Sequence, residues 1–294
     1  MDYLAPRSRR PVSFAASASN PPARVSRFSV ALRALASIVR TPSLLTVVVA
    51  ADEQQWQRQA LRHAGRWPLT AAGLPVVALP ALLPPQGDTL RPFAFGEGAS
   101  LPTDLLLLRA LVRRAGSAAR YFEIGTWRGE SAAAVAELAA SVHTLNLSDE
   151  ELRALQLPED YIGLHGHFSR PLPNVTHLHG NSASFDYRGL GPFDVVFIDG
   201  DHRYEAVRAD TARVFRELLH PQSVVVWHDA ARQPGVPRWE VLSGILDGLP
   251  ADAPGQLYAV GNTLCALYSP TPLPAAPPVR FAAPAAFEVT VRPA

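Results

Sequence analysis

The sequence predicts an α/β fold: a mostly parallel sheet with helices on both faces, finished by an antiparallel hairpin. Three observations carry this. Strand-like and helix-like segments alternate through residues 121–124, 131–140, 142–147, 175–179, 195–198, 204–219 and 224–227, and alternation of that kind builds parallel sheets covered on both faces. Two further strand-like runs, 256–260 and 263–268, are joined through Gly261-Asn262, a tight turn that makes neighbouring strands antiparallel. Finally, the run Arg120 to Ser131 stops an apolar strand at Gly125 and starts a helix after Gly129, which makes a ligand cradle. Glycines there let the backbone turn sharply and approach a ligand, and the helix start offers unpaired N–H groups.

Composition bounds the function. A chain of 294 residues can bury one large core, or a core and a smaller lobe. All 27 basic residues are arginine, which excludes a catalytic lysine, and the net charge of +1 without a basic stripe gives no reason to expect nucleic acid as partner. A small-molecule or glycan substrate is expected instead. The single Cys265 rules out an internal disulfide and fits a reducing, cytoplasmic setting. No apolar run is long enough for a bilayer, and the arginine-containing N-terminus lacks a signal-peptide core, so neither membrane insertion nor export is expected.

Taken in order, residues 1–27 are rich in Arg, Ser, Ala and Pro and read as a disordered extension. Apolar residues then recur at helical spacing from Phe28, break at Pro42 and resume through Trp56, Leu61 and Ala64, predicting two short helices. Prolines and glycines over 68–98 suit an irregular connector. Residues 28–99 thus form a helical and irregular N-terminal cap region, expected to cover a site or to mediate self-association as a homo-oligomer. Ser100 is the expected N-cap of a helix with Pro102 in its first turn and Leu105 to Val112 as its body, ending near Gly116. The main domain spans 100–269, with a last helix over 239–249. Residues 270–294 are a Pro/Ala-rich tail with one strand-like piece, 287–291.

Chemistry-bearing residues gather at two strand ends. The run from Phe193 to Ile198 delivers Asp199, Asp201 and His202, and the run Val224 to Trp227 delivers His228 and Asp229. Open α/β sheets bind ligands at that edge, so the two ends share a cleft. Trp227 and Trp239 flank it, as packing residues or as stacking platforms. His165, His167, His177 and His179 pair at spacing two and are read as solvent-facing.

The pattern Glu123-x-Gly125-x-x-x-Gly129-x-Ser131 resembles the first motif of the class I S-adenosylmethionine-dependent methyltransferases, a Rossmann-like superfamily, nearest to catechol-type and macrocin-type O-methyltransferases. The resemblance runs from about residue 100 to 268. It implies S-adenosylmethionine as cofactor, with Gly125 and Gly129 against its methionine part and Thr126 and Trp127 beside them. Ser131 would meet its carboxylate, and Glu123 would face its ammonium or order the loop. Asn146 stands where relatives hold the ribose with an acidic residue, so it binds ribose without that charge or Asp149 substitutes. Ser182 falls in the adenine-contacting segment. Asp199 and Asp229 match two of three oxygen ligands of a divalent metal in metal-dependent relatives, with His228 third. Imidazole makes manganese as apt as magnesium. His202 falls where catechol-type enzymes carry a basic lysine, and histidine can accept a hydroxyl proton near neutral pH, with Asp199 and Asp201 as the other catalytic candidates. The implied reaction is methylation of a small-molecule or glycan hydroxyl. The alternatives are a nucleotide-dependent oxidoreductase and a catalytically silent Rossmann-like binding protein.

Overall fold

The computed structural model describes residues 53–279 and 285–292. The expected extension 1–27 and the first expected helix lie outside the described residues. The second helix is α1, Glu53–Ala60, continued by one 3-10 turn, Leu61–His63. As its prolines imply, the connector is irregular, with only β1, Val76–Val77, and the 3-10 turn Leu79–Ala81. It is pinned by charge. Asp88 lies 2.8 Å from buried Arg109 and 2.9 Å from Arg113. Burial opposes its ionisation, but these guanidiniums hold its pKa down at about 2.

Both arginines sit on α2, Pro102–Ala115, whose N-cap is Leu101 rather than Ser100. The first turn is satisfied from within the helix: the Leu101 N–H donates to Asp104 Oδ2 at 2.8 Å. Proline at the first helical position leaves no donor to cap there.

The sheet follows: β2 (Arg120–Ile124), α3 (Glu130–Ala136), β3 (Ser141–Asn146), α4 (Asp149–Ala154), α5 (Glu159–Leu164), β4 (Val175–His179), β5 (Phe193–Ile198), α6 (Tyr204–Glu217), β6 (Leu219–Trp227), β7 (Ala231–Gln233), β8 (Val236–Pro237), α7 (Trp239–Gly248), β9 (Gln256–Val260), β10 (Ala266–Ser269) and β11 (Ala275–Ala276). Strand order is β11-β1-β9-β10-β6-β5-β2-β3-β4. From β6 to β4 the pairs are parallel, and β10 lies antiparallel between β6 and β9. This is the expected doubly wound, mostly parallel sheet with its antiparallel terminal hairpin.

Two cores form because neighbours on a strand face opposite ways. Tyr121, Val195 and Phe197 pack with α2 and α3, while Phe122, Val196 and Ile198 pack with α6 and α7. Because both faces are buried, the central strands read as continuous apolar runs. Trp227 belongs to the second core: it is 1 % exposed and donates Nε1–H to Thr211 Oγ1 at 2.9 Å. Trp239 is buried in the same core, so packing, not stacking on a ligand, explains both tryptophans.

Several boundaries differ from expectation. Leu219 opens β6 instead of closing a helix, and α3 ends at Ala136. Residues 287–291 form no strand. The tail instead contributes β11, which pairs antiparallel with β1. Among the described residues no helix is long and apolar enough to cross a membrane.

Candidate functional site

Parallel strands place their carboxyl ends along one edge, so His228, Asp199, Gly125 and Asn146 follow one another there. Gly125 adopts φ 98° and Gly129, the N-cap of α3, φ 79°, a region that suits glycine. Their need is internal as well as ligand-directed. A Cβ at Gly125 would come within 2.0 Å of the Asp199 carbonyl oxygen, and one at Gly129 within 2.1 Å of Ser169 Oγ. The loop is thus pressed against β5's end and the segment after α5.

Glu123 is the polar centre of this corner. It is fully buried, its Oε2 accepts the Tyr121 hydroxyl at 2.9 Å, and its Oε1 has no hydrogen-bond partner. Burial pushes its carboxyl up to about 7. The hydroxyls of Thr144, Ser131 and Tyr121 oppose this, and the Asp199 carboxylate adds to it. A buried carboxylate with one oxygen left unpaired is costly and suits a cationic ligand group. The raised pKa makes a stability prediction. Between the ordinary value of 4.5 and about 7 the folded state holds a proton that the unfolded chain releases, so the contribution is fully present below about 4.5 and is lost as pH rises through 7. Wild type is expected to lose about 3 kcal/mol between pH 4.5 and 8 relative to Glu123→Gln in denaturant unfolding without cofactor. Parallel pH profiles for the two proteins would contradict it.

A cavity of about 630 Å³ opens beside the loop, lined by Thr126, Asn146, Asp149, His165, His177 and His179 among others. The histidines read as solvent-facing thus include three that line this cavity. Trp127, at φ 42°, stacks on Tyr161 at 4.4 Å with His165 edge-on, which closes one side of the loop. Asn146 Nδ2 donates to the Leu147 carbonyl at 3.1 Å, leaving its side-chain oxygen as acceptor. Ser182 stands apart: it does not line this cavity, and its carbonyl accepts from Arg213 at 2.7 Å and Tyr187 at 3.2 Å.

At the next strand ends, one ligand atom each from Asp199, His228 and Asp229 lies within 4.8 Å of the others. His228 Nδ1 is 3.1 Å from Asp199 Oδ1 and 3.3 Å from Asp229 Oδ2, while its Nε2 is 3.0 Å from Asp104 Oδ2. Asp104 accepts throughout: its oxygens also take the Leu101 N–H and, at 2.8 Å, the Leu264 N–H. A neutral His228 therefore carries its proton on Nε2 and turns the Nδ1 lone pair toward the two carboxylates. That donor set fits a divalent ion, with Asp104 orienting the imidazole from behind. Without an ion, burial disfavours the imidazolium, but Asp199, Asp104 and Asp229 outweigh it and hold the His228 pKa well above its ordinary value.

His202 joins through Nε2, 3.0 Å from Asp229 Oδ2, with 38 % of its side chain exposed. Asp201 does not turn to this group. It forms a forked pair with Arg203 Nε at 2.8 and 3.0 Å and accepts the Arg203 N–H at 2.9 Å. Burial opposes its ionisation, but Arg203 holds its pKa below the usual carboxylate value. Sequence reasoning missed Asp104, which no spacing connects to His228.

A family model described as a methyltransferase domain matches residues 122–230. No curated protein matches the chain. Among solved structures, the chain is similar to an amino pentose methyltransferase from Micromonospora echinaspora involved in calicheamicin biosynthesis (23 % identity, TM-score 0.33, 45 % of this chain and 51 % of that one). It thus spans about half the length of that protein. It is also similar to a cofactor-bound protein from MTB (21 %, TM-score 0.42, 59 % and 82 %) and to a methyltransferase of Podospora anserina bound to S-adenosylhomocysteine (18 %, TM-score 0.38, 57 % and 81 %). The matched segment runs from β2 through the strand ends of β5 and β6, so it contains the glycine loop and the Asp199–His228–Asp229 group. That match covers less than half of the chain and marks a stretch similar to a methyltransferase domain.

Proposed function

We propose that the protein transfers a methyl group from S-adenosylmethionine to a hydroxyl of a small molecule or glycan. The observation that supports the cofactor is Glu123: a fully buried carboxylate with an unpaired oxygen, in the motif position that meets the ammonium of the methionine part in relatives. When bound, S-adenosylmethionine supplies an electrophilic methyl on a sulfonium. The chain's residues do the rest. The glycine loop and Ser131 hold the methionine end, with Trp127 covering the loop, and Thr126 and Asn146 line the nucleoside side, where Asn146 accepts from ribose.

His202 is the proposed base. Asp229 accepts the Nε2–H, so Nδ1 is free to take the acceptor's hydroxyl proton, and the imidazolium formed stays paired with Asp229. Asp199, His228 and Asp229 would hold a divalent ion, manganese or magnesium, whose charge would favour the acceptor's alkoxide form. A dinucleotide-dependent oxidoreductase fits less well, since the loop lacks the G-x-G-x-x-G spacing.

The test is formation of S-adenosylhomocysteine with hydroxylated acceptors, with and without chelator. Turnover is expected, with loss in chelator and recovery on adding manganese or magnesium. Full turnover in chelator would assign the acid–histidine group to positioning the substrate. No methyl transfer to any hydroxyl, alongside transfer to an amine, would overturn the oxygen assignment.

A further inference from the structure

We infer that the acceptor carries a carboxylate and that Arg238 recognises it, an inference that rests on the acceptor lying over His202 and Asp229. Arg238 follows the β7–β8 hairpin and is the N-cap residue of α7. Its N–H donates to the Ala230 carbonyl at 2.9 Å, which fixes the backbone at the rim of the cleft.

Its side chain is underused. Among the described residues its one ion-pair contact is Nη1 to Asp229 Oδ1 at 3.9 Å, and its Nε is buried without a hydrogen-bond partner. A quarter of the side chain stays exposed, so a ligand can reach the guanidinium. Neighbouring carboxylates are engaged elsewhere. Glu53 is held by Arg232 at 2.9 Å, and Glu240 accepts the Tyr204 N–H at 3.3 Å. Asp229, the remaining one, is already shared with His202 and His228.

Thus a single carboxylate separates the proposed base from a planar donor fork with spare N–H groups. The guanidinium geometry matches a carboxylate through two parallel hydrogen bonds. An acceptor with a hydroxyl near His202 and a carboxylate a few ångströms away would satisfy both ends, and a neutral analogue would leave the fork unpaired.

The experiment uses protein saturated with S-adenosylhomocysteine and two probes that differ in one group, 3,4-dihydroxybenzoate and 3,4-dihydroxybenzamide, titrated by calorimetry. Wild type is expected to bind the benzoate about tenfold or more tightly than the amide. Arg238→Gln should abolish that preference, and Arg238→Lys should retain part of it, keeping the charge but not the fork. Thermal unfolding of each variant confirms the fold. Equal affinity for the probes in wild type, no binding of either, or a preference surviving in Arg238→Gln overturns the inference. Failure of the underlying methyltransferase reading would appear earlier and separately, as absent binding of S-adenosylhomocysteine.

Discussion

Replacing His202 with alanine is expected to lower turnover about a hundredfold or more, the range for losing a general base, while S-adenosylmethionine affinity stays within about twofold. His202 stands on the loop between β5 and α6 and is not among the residues lining the 630 Å³ cavity, so its removal is expected to leave the proposed cofactor contacts intact. The effect should be chemical and not structural. A side chain 38 % exposed contributes little packing, and a surface-level change in stability, within about 0.5 kcal/mol, is expected. Steady-state kinetics and calorimetry on the same preparation check both halves. Near-normal turnover would remove His202 from the role and turn attention to Asp201 and Asp199. Of these Asp201 is handicapped by its forked pair with Arg203, which must open before the carboxylate can accept a proton.

The second large effect is on stability. Asp104→Ala is expected to cost about 3–5 kcal/mol, the range for leaving a buried charge unpaired. Asp104 is fully buried and accepts from His228, from the N–H groups of Leu101 and Leu264, and from the Cys265 thiol at 3.6 Å. Truncation strands an imidazole and two backbone donors at once. It also frees the imidazole ring to rotate, so metal affinity should fall by about tenfold to a hundredfold, as for other groups that orient a ligand from behind. Asp104→Asn should sit between, since an amide can accept from His228 but presents a donor to a neighbouring donor. Denaturant unfolding reads the first effect and titration with manganese the second. A loss under about 1 kcal/mol for Asp104→Ala would show that water satisfies these donors and that Asp104 does not hold the imidazole in place.

The sheet was legible because its strands are buried on both faces and therefore apolar throughout, as in Phe193–Ile198, and because each ends at a turn-forming or charged residue. The glycine loop was legible for the same local reason. What escaped the sequence is non-local. Asp104 and His228 are 124 residues apart, and nothing in the local pattern around Leu105 tells an N-terminal helix carboxylate from one reaching a strand end. The two-residue strands Val76–Val77 and Ala275–Ala276 are too short for any alternation to register. Residues 287–291 mislead in the opposite direction: they have strand composition but no neighbour to pair with. Ser100 was a good cap by type, yet Asp104 satisfies the helix start from inside. The steric demand at Gly129 likewise comes from Ser169, 40 positions on, and reads in sequence only as a demand of the ligand.

The proposed function depends on the cofactor, and direct binding tests it. Calorimetric titration of the purified chain with S-adenosylmethionine, S-adenosylhomocysteine and NADH is the measurement. The account predicts one site per chain for the first two and no heat from NADH. Binding of NADH in their place, or no binding of S-adenosylmethionine by the folded protein, would contradict it.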